Sequence, residues 1–252
     1  MRVLVVTAVA AEADAVLAGL ADAPGAAPAT APRPLPGGRT VTRGLRAGDA
    51  PEAQGLVDVV AGGVGPAAAA VGAACALAAE PVPYDLVVAA GIAGGFPAHA
   101  RPGGLVVADA LVAADLGAQA PEGFLPVEEL GFGRSVHLPP PGLAARIAAA
   151  VTHPPAGLPV AVGPVLTVAT VTGTAARAAE LAGRHPRAAA EAMEGFGVAE
   201  AAAAYGVPVV EVRAVSNTVG PRDRAAWRIG DALAALRTAF RTLGGTVFLE
   251  KL

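Results

Sequence analysis

Short β-branched runs alternate with longer alanine-rich segments along this chain, and that alternation limits its fold more than any single residue does. Residues 3–6, 57–61, 86–90, 105–107, 165–171 and 207–215 form apolar stretches bounded by Gly or Pro. Such runs lack the polar alternation of a half-solvated strand and fit strands covered on both faces. Residues 11–20, 66–79, 174–183, 196–205 and 224–243 are rich in Ala and fit helices. The order predicts an α/β fold with a mostly parallel sheet, in one domain over residues 1–252. Residues 21–55, and residues 116–142 with Pro139-Pro140-Pro141, carry too much Pro and Gly for either element and are expected to be loops. Either excursion has the length to cover a site.

Composition removes several function classes. The 18 basic and 21 acidic residues give a net charge of −3, so nothing draws the chain to nucleic acid or to an anionic membrane. Every basic residue except Lys251 is Arg, which fits a GC-rich genome. Residues 3–11 after Arg2 imitate a secretory signal, but they are short and suit a first buried strand. With no run of 18 apolar residues to span a bilayer, a cytoplasmic enzyme is expected. Cys75, the only cysteine, excludes an intrachain disulfide and is expected as a packed core thiol. His99, His137, His153 and His185 lack metal-ligand spacing, so neither a metal nor an organic cofactor is expected.

Five places carry candidate chemistry, each with a plainer reading beside it. Glu12 falls in the first turn after the first strand, where a carboxylate can activate water or simply complement the helix dipole. Gly63 to Ala68 satisfies a Gly-x-Gly-x-x-Ala dinucleotide pattern, but the next strand ends in Ala90-Gly91 without the acid that would hold a ribose diol. A tight turn with Pro66 opening a helix is the alternative there. Gly91-Ile92-Ala93-Gly94-Gly95 reads as a turn after a strand, with small residues that let a flat ring approach the backbone at Ile92, Ala93 and Gly94. Met193 and Glu194 close one apolar strand, and Ser216 and Asn217 close the next, where α/β sheets bind ligands. Taken singly, Glu194 also fits a helix start and Asn217 a turn.

Together, Glu12, the Gly91 to Gly95 segment, Met193-Glu194 and Arg213 to Asn217 resemble, in order and spacing, the purine nucleoside phosphorylase and methylthioadenosine nucleosidase superfamily. The resemblance spans nearly the whole chain. More narrowly, Glu191-Ala192-Met193-Glu194-Gly195-Phe196-Gly197 and Ser216-Asn217-Thr218-Val219-Gly220-Pro221-Arg222-Asp223-Arg224, with Trp227 beyond, are similar to the futalosine hydrolase family. This likeness implies a three-layer α/β/α sandwich with a mixed, mostly parallel central sheet, a homo-oligomer built from dimers, and a small nucleoside as substrate. It further implies that Glu12 activates water, Glu194 binds the ribose hydroxyls and Met193 packs below the sugar. Adenine-cleaving members carry Asp where this chain has Asn217, and an amide there implies a 6-oxopurine. The aromatic carboxylate tail of futalosine calls for a cation, for which Arg177, Arg222 and Arg224 are the candidates, with Trp227 available to stack.

Overall fold

The computed structural model describes residues 1–27, 29–45, 55–121 and 123–250. Twelve strands and six helices are described: β1 (Arg2–Thr7), α1 (Ala10–Ala21), β2 (Arg33–Pro34), β3 (Thr40–Leu45), β4 (Leu56–Ala61), α2 (Pro66–Ala78), β5 (Leu86–Gly95), β6 (Leu105–Ala113), β7 (Gly117–Ala120), β8 (Gly123–Pro126), β9 (Val136–His137), α3 (Leu143–Thr152), β10 (Val160–Thr167), α4 (Ala175–Arg184), β11 (Ala190–Ala192), α5 (Gly195–Ala204), β12 (Val209–Thr218) and α6 (Ile229–Gly245). Ten strands form one sheet in the order β11-β10-β6-β12-β5-β1-β4-β3-β2, with β9 on β6. The β1/β4, β1/β5, β5/β12, β6/β10 and β10/β11 pairs are parallel, and the β6/β12 and β3/β4 pairs are antiparallel. The sheet is therefore mixed, with a mostly parallel centre. A second pairing of β11, antiparallel to β5, curls β11, β10, β6, β12 and β5 into a closed ring.

Burial on both faces explains why the strands read as unbroken apolar runs. In β1, Val3 and Val5 join one core with Val16 of α1, Ile147 of α3 and Phe240 of α6. Leu4 and Val6 join the opposite core with Ala73 of α2 and Val198 of α5. The result is the expected three layers, α/β/α.

Several boundaries differ from the sequence expectation. The expected turn at Gly91 to Gly95 is the end of β5, because β12 pairs along one side and β11 along the other, with Gly94 opposite both Asn217 and Glu191. Within 21–55, edge strands β2 and β3 form instead of a plain loop, and Arg43 fastens β3 to β4 through a two-pronged contact with buried Asp58 at 2.8 Å on each prong. Residues 46–54 of that expected excursion lie outside the described residues. The 116–142 stretch holds the β7–β8 hairpin and β9. Helix α3 was not anticipated, although its buried Leu143, Ile147 and Val151 recur every fourth residue. The strand expected at 165–171 runs from Val160 to Thr167. The last helix starts at Ile229, because 224–226 form a separate short turn capped by Asp223. Cys75 is half-buried on α2 and is not a core thiol.

Candidate active site

The carboxyl-terminal ends of β1, β5, β11 and β12 open into one cleft of about 930 Å³, mouth included. Glu12, Ile92, Ala93, Gly94, Met193, Glu194, Ser216 and Asn217 all line it. Sites at this edge of an α/β sheet follow from the topology, since strand ends and helix starts converge there.

The deep side of the cleft is built around charge. Glu12 occupies the first turn of α1, where its Oε2 accepts from the backbone N–H of Ala8 at 2.9 Å and of Val9 at 3.3 Å. Its Oε1 accepts from Ile92 N–H at 2.9 Å. Three backbone donors thus occupy three of roughly four acceptor positions on the carboxylate, leaving one on Oε1 for a water. Glu194 stands at the entrance to α5, with Oε1 accepting from Gly65 N–H at 3.1 Å and Oε2 from Met193 N–H at 3.3 Å. The Gly63 to Ala68 turn therefore commits a backbone donor to Glu194, where a dinucleotide site would need it for phosphate.

Between the two acids lies Arg213, only 1% exposed. Its Nη1 is 3.1 Å from Glu194 Oε2 and donates to the Ile92 carbonyl at 3.3 Å, while its Nε donates to Glu211 Oε1 at 2.8 Å. Burial opposes the guanidinium charge, but the carboxylates of Glu211, Glu194 and Glu12 outweigh it and hold Arg213 above the ordinary arginine range. Gly91 makes this convergence possible, since a Cβ there would stand 2.6 Å from Glu12 Oε1 and 2.8 Å from Arg213 Nη1.

The Asn217 side of the cleft is organised by a bulge. The β12/β5 register slips between Val215 and Asn217, so Ser216 is the extra residue. Its hydroxyl lies 2.8 Å from Asn217 Oδ1 and 3.3 Å from the Ala93 carbonyl. Asn217 Nδ2 donates to the Thr218 carbonyl at 3.0 Å. With the Ser216 hydroxyl donating to Oδ1, the amide retains one acceptor lone pair and one N–H for a ligand.

The outer wall is more open. Glu191 closes it from below, its carboxylate taking the Thr172 N–H at 2.9 Å and the Thr172 hydroxyl, and burial holds that carboxyl above its usual range against those two bonds. Of the three tail candidates, Arg222 lines the cleft beside Trp227, its guanidinium 5.8 Å from the indole centroid. Arg177 does not reach the cleft wall, because Glu180 one helical turn along α4 binds it at 2.7 Å. Arg224 packs against Trp227 from outside the lining. Sequence reasoning missed the Glu211–Arg213 pair and Thr172. Two opposite charges two residues apart in an otherwise β-branched strand were the available signal for the pair. Among the described residues, no cluster of three His, Cys, Asp or Glu is arranged to hold a metal, and no helix is long and apolar enough to cross a membrane.

Residues 2–246 match the family model of the phosphorylase superfamily. The chain is 55% identical over 242 residues to the futalosine hydrolase of Streptomyces coelicolor, covering 95% of this chain and 93% of that protein. It is 45% identical over 241 residues to the futalosine hydrolase of Acidothermus cellulolyticus, covering 96% and 89%. Among solved structures, the methylthioadenosine/S-adenosylhomocysteine nucleosidase of Colwellia psychrerythraea bound to adenine aligns with a TM-score of 0.75 at 22% identity, covering 98% of this chain and 97% of that one. The futalosine hydrolase of Helicobacter pylori aligns equally well, at 0.75 and 18% identity over 96% and 95% of the two chains, and both likenesses speak to the fold. By its match along almost its whole length, the chain belongs to the phosphorylase superfamily and, within it, to the futalosine hydrolase family.

Proposed function

We propose that the protein hydrolyses the N-ribosidic bond of futalosine, releasing hypoxanthine. The observation that carries this reading is the convergence of Glu12, Glu194 and Asn217 on one cleft, in a chain this similar to futalosine hydrolases. Breaking the bond develops positive charge on the ribose and negative charge on the base. Glu12, with one acceptor position left, takes a proton from the attacking water, whose oxygen bonds to the anomeric carbon. Glu194 binds the ribose hydroxyls, and its negative charge favours the oxocarbenium-like centre. Met193 packs beneath the sugar, and Ile92, Ala93 and Gly94 give it and the ring a flat floor. The bonding electrons pass to the base, which takes a solvent proton at N7. Asn217 Oδ1 accepts from that N7–H while its N–H donates to O6, and Ser216 holds the amide in this orientation. An exocyclic 6-amine would oppose donor to donor.

Water is favoured over phosphate as nucleophile because a phosphorylase needs free cations at the sugar. Arg213 is engaged with Glu194 and Glu211, and Ala8, Val9 and Val64 on the adjacent wall are uncharged. Arg222 and Trp227 form the tail subsite, one pairing with the carboxylate and the other stacking on the arene. A homo-oligomer is supported by the exposed apolar side chains of Leu116 and Phe132, which line one surface depression with Val127 beside the β7–β8 hairpin.

Chromatography of futalosine, aminofutalosine, inosine and methylthioadenosine, each with and without phosphate, tests the reading. Hypoxanthine from futalosine at a rate independent of phosphate is expected. Preference for a 6-amino substrate, or a requirement for phosphate, would overturn it.

A further inference from the structure

Glu211 is the most deeply buried acid near the site, and the mechanism above does not use it. Its exposure is 0%, and it sits on β12 between Val209 and Arg213, on the face packed against α5. An isolated carboxylate in that apolar layer would be strongly destabilising, so its retention needs a partner and a purpose. The partner is Arg213, whose Nε donates to Glu211 Oε1 at 2.8 Å. The first residue of α5 also yields room to it, because a Cβ on Gly195 would stand 2.1 Å from Glu211 Oε2. The carboxylate thus lies at the amino end of α5, where the helix dipole favours negative charge. Glu194 immediately precedes Gly195, so the same helix start carries both acids.

One guanidinium is therefore shared between two carboxylates that lie on different edges of it. Nε belongs to Glu211, and Nη1 belongs to Glu194 and the Ile92 carbonyl. Were Arg213 free to turn both edges of its fork to Glu194, it would neutralise the charge that must face a positive ribose in the transition state. We infer that Glu211 is a positioning residue: it holds Arg213 by Nε and draws on its charge, so that Arg213 orients Glu194 without quenching it. Glu211 touches neither the ribose nor the base and acts only through Arg213.

The surrounding charges are few. Glu194 faces Glu211 from the head of α5, and Glu12 faces Arg213 from α1. Glu200 of α5 is bound to His137 instead. The stretches paired with this part of β12, residues 89–92 of β5 and 105–107 of β6, contribute apolar residues and glycine. Burial pushes the Glu211 carboxyl up, Arg213 pulls it down, and burial prevails in sign.

The inference rests on the proposed glycosidase chemistry, and the experiment separates the two. Wild-type release of hypoxanthine from futalosine is the reference arm; its absence would strike the substrate reading. The Glu211 comparison is then made on whichever nucleoside the wild type cleaves. Glu211→Gln keeps the shape and removes the charge. Expected are a kcat about 30-fold lower, less than the about 10²-fold or more of a lost direct electrostatic contact because Glu211 acts through Arg213, and a KM changed less than about threefold, since the ground-state ribose is uncharged. The acid limb of the kcat/KM profile should move about one pH unit lower, because the cluster retains one less negative charge. Unchanged kcat, or a loss without movement of the acid limb, would overturn the inference and leave Glu211 a packing residue. Should that variant fail to fold, Arg213→Gln is compared with the double variant Arg213→Gln/Glu211→Gln. Agreement of their kcat values within about threefold is expected for a residue acting only through Arg213; a wider gap overturns the idea.

Discussion

The two sides of the cleft are made differently. On the side proposed to hold the sugar, Glu12 and Glu194 are 4% and 6% exposed and held by backbone N–H groups from four separate segments, with Arg213 between them. On the base and tail side, Asn217 is half-buried and anchored by its immediate neighbours Ser216 and Thr218, while Arg222 is exposed and rests on Trp227 alone among the described contacts. In the proposed mechanism, bond breaking falls to groups whose positions the fold over-determines, and recognition to groups that a few local bonds position. Preorganised charge is most effective where it need not move, whereas a selectivity group needs only a fixed pattern of donors and acceptors.

That contrast sets the scale of four variants. Glu12→Gln should lower kcat about 10³-fold with KM nearly unchanged, the size of a lost general base; a loss below tenfold in steady-state assays would remove Glu12 from the chemistry. Glu194→Gln should lower kcat/KM about 10² to 10³-fold and raise KM as well, because the ribose hydroxyls lose a charged acceptor. Across the cleft, Asn217→Asp should leave the fold intact and move the ratio of kcat/KM about 10²-fold toward aminofutalosine or methylthioadenosine over futalosine. An unchanged preference in direct competition would show that the base is read elsewhere. The smallest effect belongs to Arg222→Ala, for which KM of futalosine should rise about fivefold, as expected of an exposed ion pair. Inosine, which lacks the tail, should be cleaved by that variant as by the wild type. Equal effects on both nucleosides would dissolve the tail subsite.

The sequence exposes the buried strands well because burial on two faces leaves a composition that few other elements share, as in Val3 to Val6. It exposes the two candidate acids, Glu12 and Glu194, and the candidate amide, Asn217, through short segments at strand ends. It hides what depends on distant partners. Gly91 to Gly95 carry the residues of a turn, and only the arrival of β11 and β12 from the second half of the chain makes them strand. Arg213 and Glu211 are ordinary ionisable residues until Gly91 and Gly195 are seen to leave the gaps that they fill. Arg177, Arg222 and Arg224 are indistinguishable in one dimension, and a helical neighbour, Glu180, removes the first of them from the cleft.

The slip in β12 at Ser216 divides that strand into two instruments on one backbone. Upstream, Glu211 and Arg213 keep the step of the sheet and, in the proposed mechanism, serve the sugar; downstream, Asn217 answers to a shifted phase set by the extra residue. A lineage working on this scaffold could trade one nucleobase for another at the tip without retuning the machinery beneath it, because the seam between the two already exists in the chain.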